Sequence, residues 1–175
     1  FQQKWQTGVD KVIKEKIRQY DRTSIVKVSM DKLEIKATGS VAGRLLNQFS
    51  MDEYEDNLRV ALTVGENMSN LSGSESFSAS DVVILDLNLK ERGSLQNLGK
   101  TERIYAVRFL GKQAYVVTFR QTDPFYVLNL SDPAQPALEG ELKIPGYSAY
   151  LHPLAEGRIL GVGRDESRDE STVKL

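Results

Sequence analysis

Val82–Gly93 reads VVILDLNLKERG, and Phe125–Gly140 reads FYVLNLSDPAQPALEG. Each is an apolar run ending in Leu-x-Leu (Leu85–Leu87 and Leu128–Leu130), then a polar turn, then a glycine at the entry to another extended run. Leu85 and Leu128 are 43 residues apart, Gly93 and Gly140 are 47 apart, and Tyr115 of AYVV and Ile159 of RILGV are 44 apart. The same succession of strands and turns therefore recurs along the chain.

Strands are expected in SIVKVSM, KLEIKATG, LRVALTVG, VVILDLN, RIYAVRFLG, AYVVTFRQ, FYVLNLS, LEGELKI and RILGVG, each bounded by Gly, Pro, Asn, Asp or Ser. Four short strands in a repeat of roughly 40–45 residues are the sequence signature of a β-propeller blade. The match lies in periodicity and turns, with no Trp-Asp dipeptide in the chain. The expected fold is mainly β, an incomplete β-propeller preceded by a short amphipathic helix. It comprises the outer half of one blade (Ser24–Gly39), two whole four-stranded blades (Leu45–Leu98 and Arg103–Ile144) and the inner half of a fourth from Tyr147. Propellers close with roughly four to eight blades, so this chain alone should leave open blade edges, which invite further blades or self-association.

Leu45–Val60, LLNQFSMDEYEDNLRV, changes from apolar to acidic and back. In the blade register LNQFSM aligns with IYAVRF and YSAYLH as an innermost strand, and DEYEDN is the turn to the second strand. A competing local reading makes Ser50 and Glu53 the capping box of a helical turn.

Residues 1–22 form a separate helical lead-in to a partial propeller domain at 23–175. Trp5, Val9, Val12, Ile13, Ile17 and Tyr20 recur at helical spacing, with Lys11, Lys14, Lys16 and Arg18 on the other faces. Thr7 and Asp10 suit the amino-terminal end of that helix. It is read as packing against the domain or as the stump of a longer helical region.

The 23 basic and 24 acidic residues nearly cancel, so no global field attracts a nucleic acid backbone or an anionic membrane. The absence of cysteine excludes disulfides, thiolate metal sites and a cysteine nucleophile, and the single histidine excludes a multi-histidine metal cage. Direct membrane insertion is not expected of these residues, nor is a cofactor, because no Gly-rich phosphate loop opens a helix and no Gly-x-Ser-x-Gly elbow occurs. Nothing in the motifs gives positive support to an enzyme.

LLNQFSMDEY with LRVA, AYVVTFRQTDPFYVLNLSDP, GELKIPGYSAYLHP and GVGRD, spread over Ser24–Asp165, resemble an archaeal and bacterial family of secreted or surface proteins. That family carries a carboxy-terminal β-propeller distantly related to WD repeats. The resemblance implies that fold and an extracellular or cell-surface location. The chain departs from the family pattern with Ala42 where a proline is expected, with EDN in place of a tighter Asn-Gly turn, and with the long Ser-rich connection GENMSNLSGSESFSAS.

Candidate channel-lining or binding residues follow from the innermost-strand register: Gln48, Ser50, Arg108 and His152. If they face the axis they form a polar mouth able to hold a small ligand, and if they face a neighbouring blade they are buried hydrogen-bonding groups. Asp52, Glu53, Glu55 and Asp56 read as a solvated turn, since no apolar pocket is evident to separate their acidities. RDESRDES reads as internally paired or solvated charge, lacking the spaced Asp, Asn and Gly of a calcium loop. Asn67 and Asn70 head glycosylation tripeptides. The functional expectation is an extracellular or surface module that recognises an unknown protein or small ligand. The alternative is part of a propeller hydrolase whose acids come from several blades.

Overall fold

The computed structural model describes residues 16–65, 78–119, 123–144, 146–155, 157–164 and 173–174. Every sheet among them is an antiparallel meander, in which neighbours in sequence are neighbours in space. A two-stranded sheet pairs β1 (Arg22–Ser29) with β2 (Glu34–Ala42). The first four-stranded sheet runs β3 (Met51–Tyr54), β4 (Asn57–Val64), β5 (Ala79–Leu85) and β6 (Glu91–Leu98). The second runs β7 (Arg103–Leu110), β8 (Gln113–Phe119), β9 (Asp123–Asn129) and β10 (Ala137–Ile144). A three-stranded sheet follows, made of β11 (Tyr147–Pro153), β12 (Ile159–Arg164) and β13 (Val173–Lys174). Two whole blades and two partial ones are thus present, in the expected order.

The sheets stack face to face, and strand alternation sorts side chains between successive interfaces. Val60, Leu62, Val83 and Leu85 join Val41, with Ile25 and Ala37, in the layer against the β1–β2 sheet. The residues between them, Ala61, Val82 and Ile84, face the other way and meet Val107, Phe109, Ala114, Val116, Tyr126 and Leu128 of the next sheet. Tyr115 and Val117 then point to the third interface, where Leu151, Phe125, Val127 and Ile159 lie. β4 and β5 have cores on both faces, so they read as continuous apolar runs instead of alternating ones. A slip of one residue in either strand would exchange the contents of two cores.

The stretch at Leu45–Val60 differs from its expectation. Gln48–Ser50 is a 3-10 turn, not strand. Asn47 Oδ1 accepts from the Phe49 N–H at 2.9 Å and Ser50 Oγ accepts from the Asn47 N–H at 3.4 Å, a reciprocal cap that competes successfully with sheet pairing. The capping pair is therefore Asn47 and Ser50, and Glu53 has no part in it. The innermost strand starts later, at Met51, and takes in Asp52, Glu53 and Tyr54, so the turn shrinks from six residues to Glu55 and Asp56. Both adopt positive φ, 46° and 60°, the geometry of a tight two-residue hairpin without the usual Asn-Gly. Asn57 secures it by donating Nδ2–H to the Glu55 carbonyl at 2.6 Å.

β6 is the fourth strand expected at Gly93, and it begins two residues earlier, at Glu91. ERGSLQNL is mostly polar because it is the outermost strand of its sheet and largely exposed. Its glycine is explained by packing: a Cβ at Gly93 would lie 2.6 Å from the carbonyl oxygens of Pro133 and Ala134, in the turn between β9 and β10 of the next sheet. Gly39 in β2 likewise meets Leu89, in the turn between β5 and β6, at 2.7 Å. The outer strand of one sheet and the turn after the third strand of the next are thereby in close backbone contact.

Residues 16–20 are helical and end on the first four-stranded sheet. Ile17 is fully buried. Arg18 donates from Nε to Asp81 Oδ2 at 2.8 Å and from a terminal nitrogen to Asp81 Oδ1 at 3.0 Å. Asp21 accepts from the Gly65 N–H at 3.1 Å and pairs with Arg44 at 3.3 Å. Thr7 and Asp10 lie outside the described residues, as do Asn67 and Asn70 and the acids of RDESRDES from Asp165 onward.

Candidate functional site

The first strands of the sheets converge, with β11 running beside β7 and the 3-10 turn of Gln48–Ser50 against β7. Two of the sequence candidates, Arg108 on β7 and His152 on β11, are linked there through two aromatic residues. The Arg108 guanidinium carbon lies 5.4 Å from the centroid of the Phe49 ring. Phe49 meets Tyr150 edge to face, with centroids 6.2 Å apart. Tyr150 Oη lies 3.1 Å from His152 Nδ1, close enough for the phenol and imidazole to share a hydrogen bond. Phe49, Tyr150 and His152 are exposed and Arg108 is half-buried. The chain Arg108–Phe49–Tyr150–His152 therefore links β7, the 3-10 turn before β3, and β11 at the inner edge of the sheets.

The other two candidates fare differently. Ser50 is fully buried, its hydroxyl engaged in the cap with Asn47, whereas Gln48 is exposed on the same turn. Phe49 and Tyr150 escaped the sequence reading because aromatics in strands are ordinarily assigned to cores. The available signal was spacing: Tyr150 and His152 are two apart on one strand and so share a face. Together the four side chains present a guanidinium, an imidazole, a phenol and a ring face, a set suited to holding a planar or anionic group by stacking and charge-assisted hydrogen bonds.

The acidic run has a structural use. Arg59, only 3% exposed, is paired with Asp52 and also donates to the Gly111 carbonyl in the β7–β8 turn. Its guanidinium lies between the rings of Tyr54 and Phe109, at 4.7 and 5.1 Å. Asp52 thus compensates a buried cation that joins two sheets, while Glu53, Glu55 and Asp56 are exposed. Hydrogen bonding to Glu55 raises the pKa of the Tyr54 phenol.

Two cavities lie elsewhere. One of about 170 Å³ is lined by Arg44, Leu45, Leu46, Thr63, Arg103 and Tyr105. Another of about 240 Å³, between β1 and the first four-stranded sheet, is lined mainly by Ile25, Met51, Leu58 and Leu89, with the carboxyls of Glu53 and Asp86. The first has no carboxylate in its lining, and the two in the second, Glu53 on β3 and Asp86 in the β5–β6 turn, come from one blade. Among the described residues no group of three or more His, Cys, Asp or Glu is arranged to hold a metal ion, and no helix is long and apolar enough to cross a membrane.

Comparison with known proteins agrees with this architecture. The chain is 43% identical over 177 residues to an uncharacterised protein of Methanocaldococcus jannaschii, an alignment covering 98% of this chain and 26% of that protein. It is 46% identical over 166 residues to an uncharacterised protein of Archaeoglobus fulgidus, covering 95% of this chain and 25% of the relative. The chain thus spans about a quarter of the length of these archaeal relatives. The family profile described as "Beta propeller domain" matches residues 8–175, taking in all the described sheets and the helical residues 16–20, and the chain belongs to that family.

Proposed function

We propose that this β-propeller module is a recognition scaffold working outside the cell or at its surface, with the inner edge of its sheets as the binding face. The observation that carries the reading is the chain Arg108–Phe49–Tyr150–His152, contributed by two sheets and the 3-10 turn leading into a third, and open to solvent along most of its length. Rigid meanders fix the backbone beneath these groups, so a ligand would meet them with little ordering cost. Its chemistry favours a partner offering a planar or anionic group, whether a small molecule or a protein side chain. The hydrolase alternative requires carboxylates from different blades across one pocket, roughly 5–10 Å apart, and neither cavity supplies them. The external location, the carboxy-terminal position and the distant relation to WD repeats rest on the sequence resemblance.

The binding face is tested by titrating isotopically labelled protein with aromatic carboxylates, phosphate esters and acidic peptides. Amide shifts should cluster at Phe49, Arg108, Tyr150 and His152 and disappear in the Arg108→Ala/Tyr150→Ala variant. Shifts confined to other surfaces, or persisting in the variant, would reject this face. Protease treatment of intact cells making the full-length protein tests the location: an external module is digested, while one retained inside survives until lysis.

A further inference from the structure

The cavity of about 170 Å³ at the start of β7 sets cations beside an apolar surface. Leu45 and Leu46, in the connection between β2 and the 3-10 turn, and Ile104 of β7 supply the hydrocarbon. Arg44 comes from the same connection, and Arg103 and Tyr105 come from β7. Among the described residues the lining includes no Asp or Glu. The backbone here is fixed. The Arg44 N–H donates to the Thr63 carbonyl at 2.8 Å, and the Thr63 N–H donates back to the Arg44 carbonyl at 2.9 Å. Gly43 permits that approach, since a Cβ on it would lie 2.6 Å from the Thr63 carbonyl oxygen. Thr63 Oγ1 in turn accepts from the Ile104 N–H at 3.1 Å, which ties β4 to β7 within the lining. The cations are placed by their neighbours. Arg44 Nε donates at 3.3 Å to Asp21, which is outside the lining. A terminal nitrogen of Arg103 donates to Tyr105 Oη at 2.8 Å, and Tyr105 meets Phe119 edge to face with centroids 5.4 Å apart.

We infer that this cavity is a binding site for a small organic carboxylate, separate from the inner-edge face of Arg108 and His152. A guanidinium fork matches the two oxygens of a carboxylate, and Leu45, Leu46 and Ile104 take a short hydrocarbon body. The volume is below the roughly 300–1,000 Å³ of pockets that enclose drug-sized ligands, so the ligand has only a few carbons. An amine on the same hydrocarbon is repelled by the two cations, and an inorganic anion leaves the apolar surface uncovered.

Butyrate is the probe, titrated into isotopically labelled protein beside n-butylamine and inorganic phosphate. Butyrate should shift the amide and methyl signals of Leu45, Leu46, Thr63 and Ile104 saturably, with a dissociation constant on the order of 1 mM, in keeping with so small a ligand. Butylamine should shift none of them, and phosphate should bind roughly tenfold more weakly or worse, for want of buried hydrocarbon. Arg103 is exposed, so Arg103→Gln should leave the fold intact and weaken butyrate binding roughly tenfold or more. Arg103→Lys should lose less, because it keeps the charge without the fork. Equal shifts from butylamine, phosphate binding as tight as that of butyrate, or unchanged affinity in Arg103→Gln would overturn the assignment. Butyrate shifts confined to Phe49, Arg108 and Tyr150 would also overturn it, while leaving the inner-edge reading standing.

Discussion

Arg18→Met should loosen the attachment of the leading helix to the first four-stranded sheet, and the geometry sets the size of the effect. Asp81 is 2% exposed and accepts two hydrogen bonds from Arg18, and a third from the Asn97 N–H at 2.9 Å. Hydrogen bonding to Asp81 outweighs desolvation and raises the pKa of Arg18. Removing the cation leaves a buried carboxylate with one donor among the described residues. Breaking such a pair typically costs about 3–5 kcal/mol, and the 27% exposure of the Arg18 side chain, which lets water take its place, favours the lower end. A loss of about 3 kcal/mol corresponds to a fall of roughly 6–12 °C in melting temperature for a chain of this size. Urea unfolding of Arg18→Met, Asp81→Asn and the double variant provides the assay. The double variant should recover about 2 kcal/mol relative to additivity, because it leaves no unpaired charge. A loss below about 1 kcal/mol for Arg18→Met, or strict additivity, would refute a structural ion pair at this position.

Three further outcomes follow from the same structure. Glu55→Asn/Asp56→Gly should stabilise the β3–β4 hairpin by about 1–2 kcal/mol, since both residues hold positive φ that Asn and Gly adopt more readily; a lower urea midpoint would show that the present side chains contribute more than their backbone strain. Gly93→Ala should cost about 1–3 kcal/mol, because its Cβ would meet backbone carbonyls that cannot rotate away, and a neutral result by thermal unfolding would mean the sheets are spaced further apart. The Asp86 carboxylate accepts from the backbone N–H of Lys90 at 2.9 Å and of Asn88 at 2.8 Å, and these bonds, chiefly that from Lys90, lower its pKa. Its contribution is therefore complete above the pKa of the unfolded chain, near 3.9, and is lost as pH falls through the lower folded value. Carboxyl carbon shifts should give a midpoint below 3.9, and one at or above it would remove this support from the β5–β6 turn.

The recurrence was legible because Leu85–Leu87 and Leu128–Leu130 mark the ends of third strands whose apolar faces must be filled in both blades. Tyr115 and Ile159, 44 residues apart, both fall on second strands, and Gly93 and Gly140 fall on matched positions of fourth strands. β6 was marked only by Gly93, because an outermost strand such as ERGSLQNL meets solvent along much of its length and has no apolar alternation to display. β3 was displaced because MDEY resembles a turn by its acids, although Asp52 serves to pair Arg59 from the adjacent strand. Pairing across strands is not visible in the order of residues along one. At the inner edge, strand register identified Arg108 and His152, but Phe49 and Tyr150 became visible only when three sheets were brought together. Ser50 was drawn into a local cap by Asn47, a short-range competition that strand periodicity does not register.

The account rests on separate meanders stacked in chain order, which backbone proton contacts in solution measure directly. Cross-strand contacts should join Val60 with Val83 and Val116 with Tyr126, should run without interruption from β3 to β6 and from β7 to β10, and should stop between β6 and β7. A continuous ladder from β6 into β7, or pairing of β3 with any strand other than β4, would contradict it.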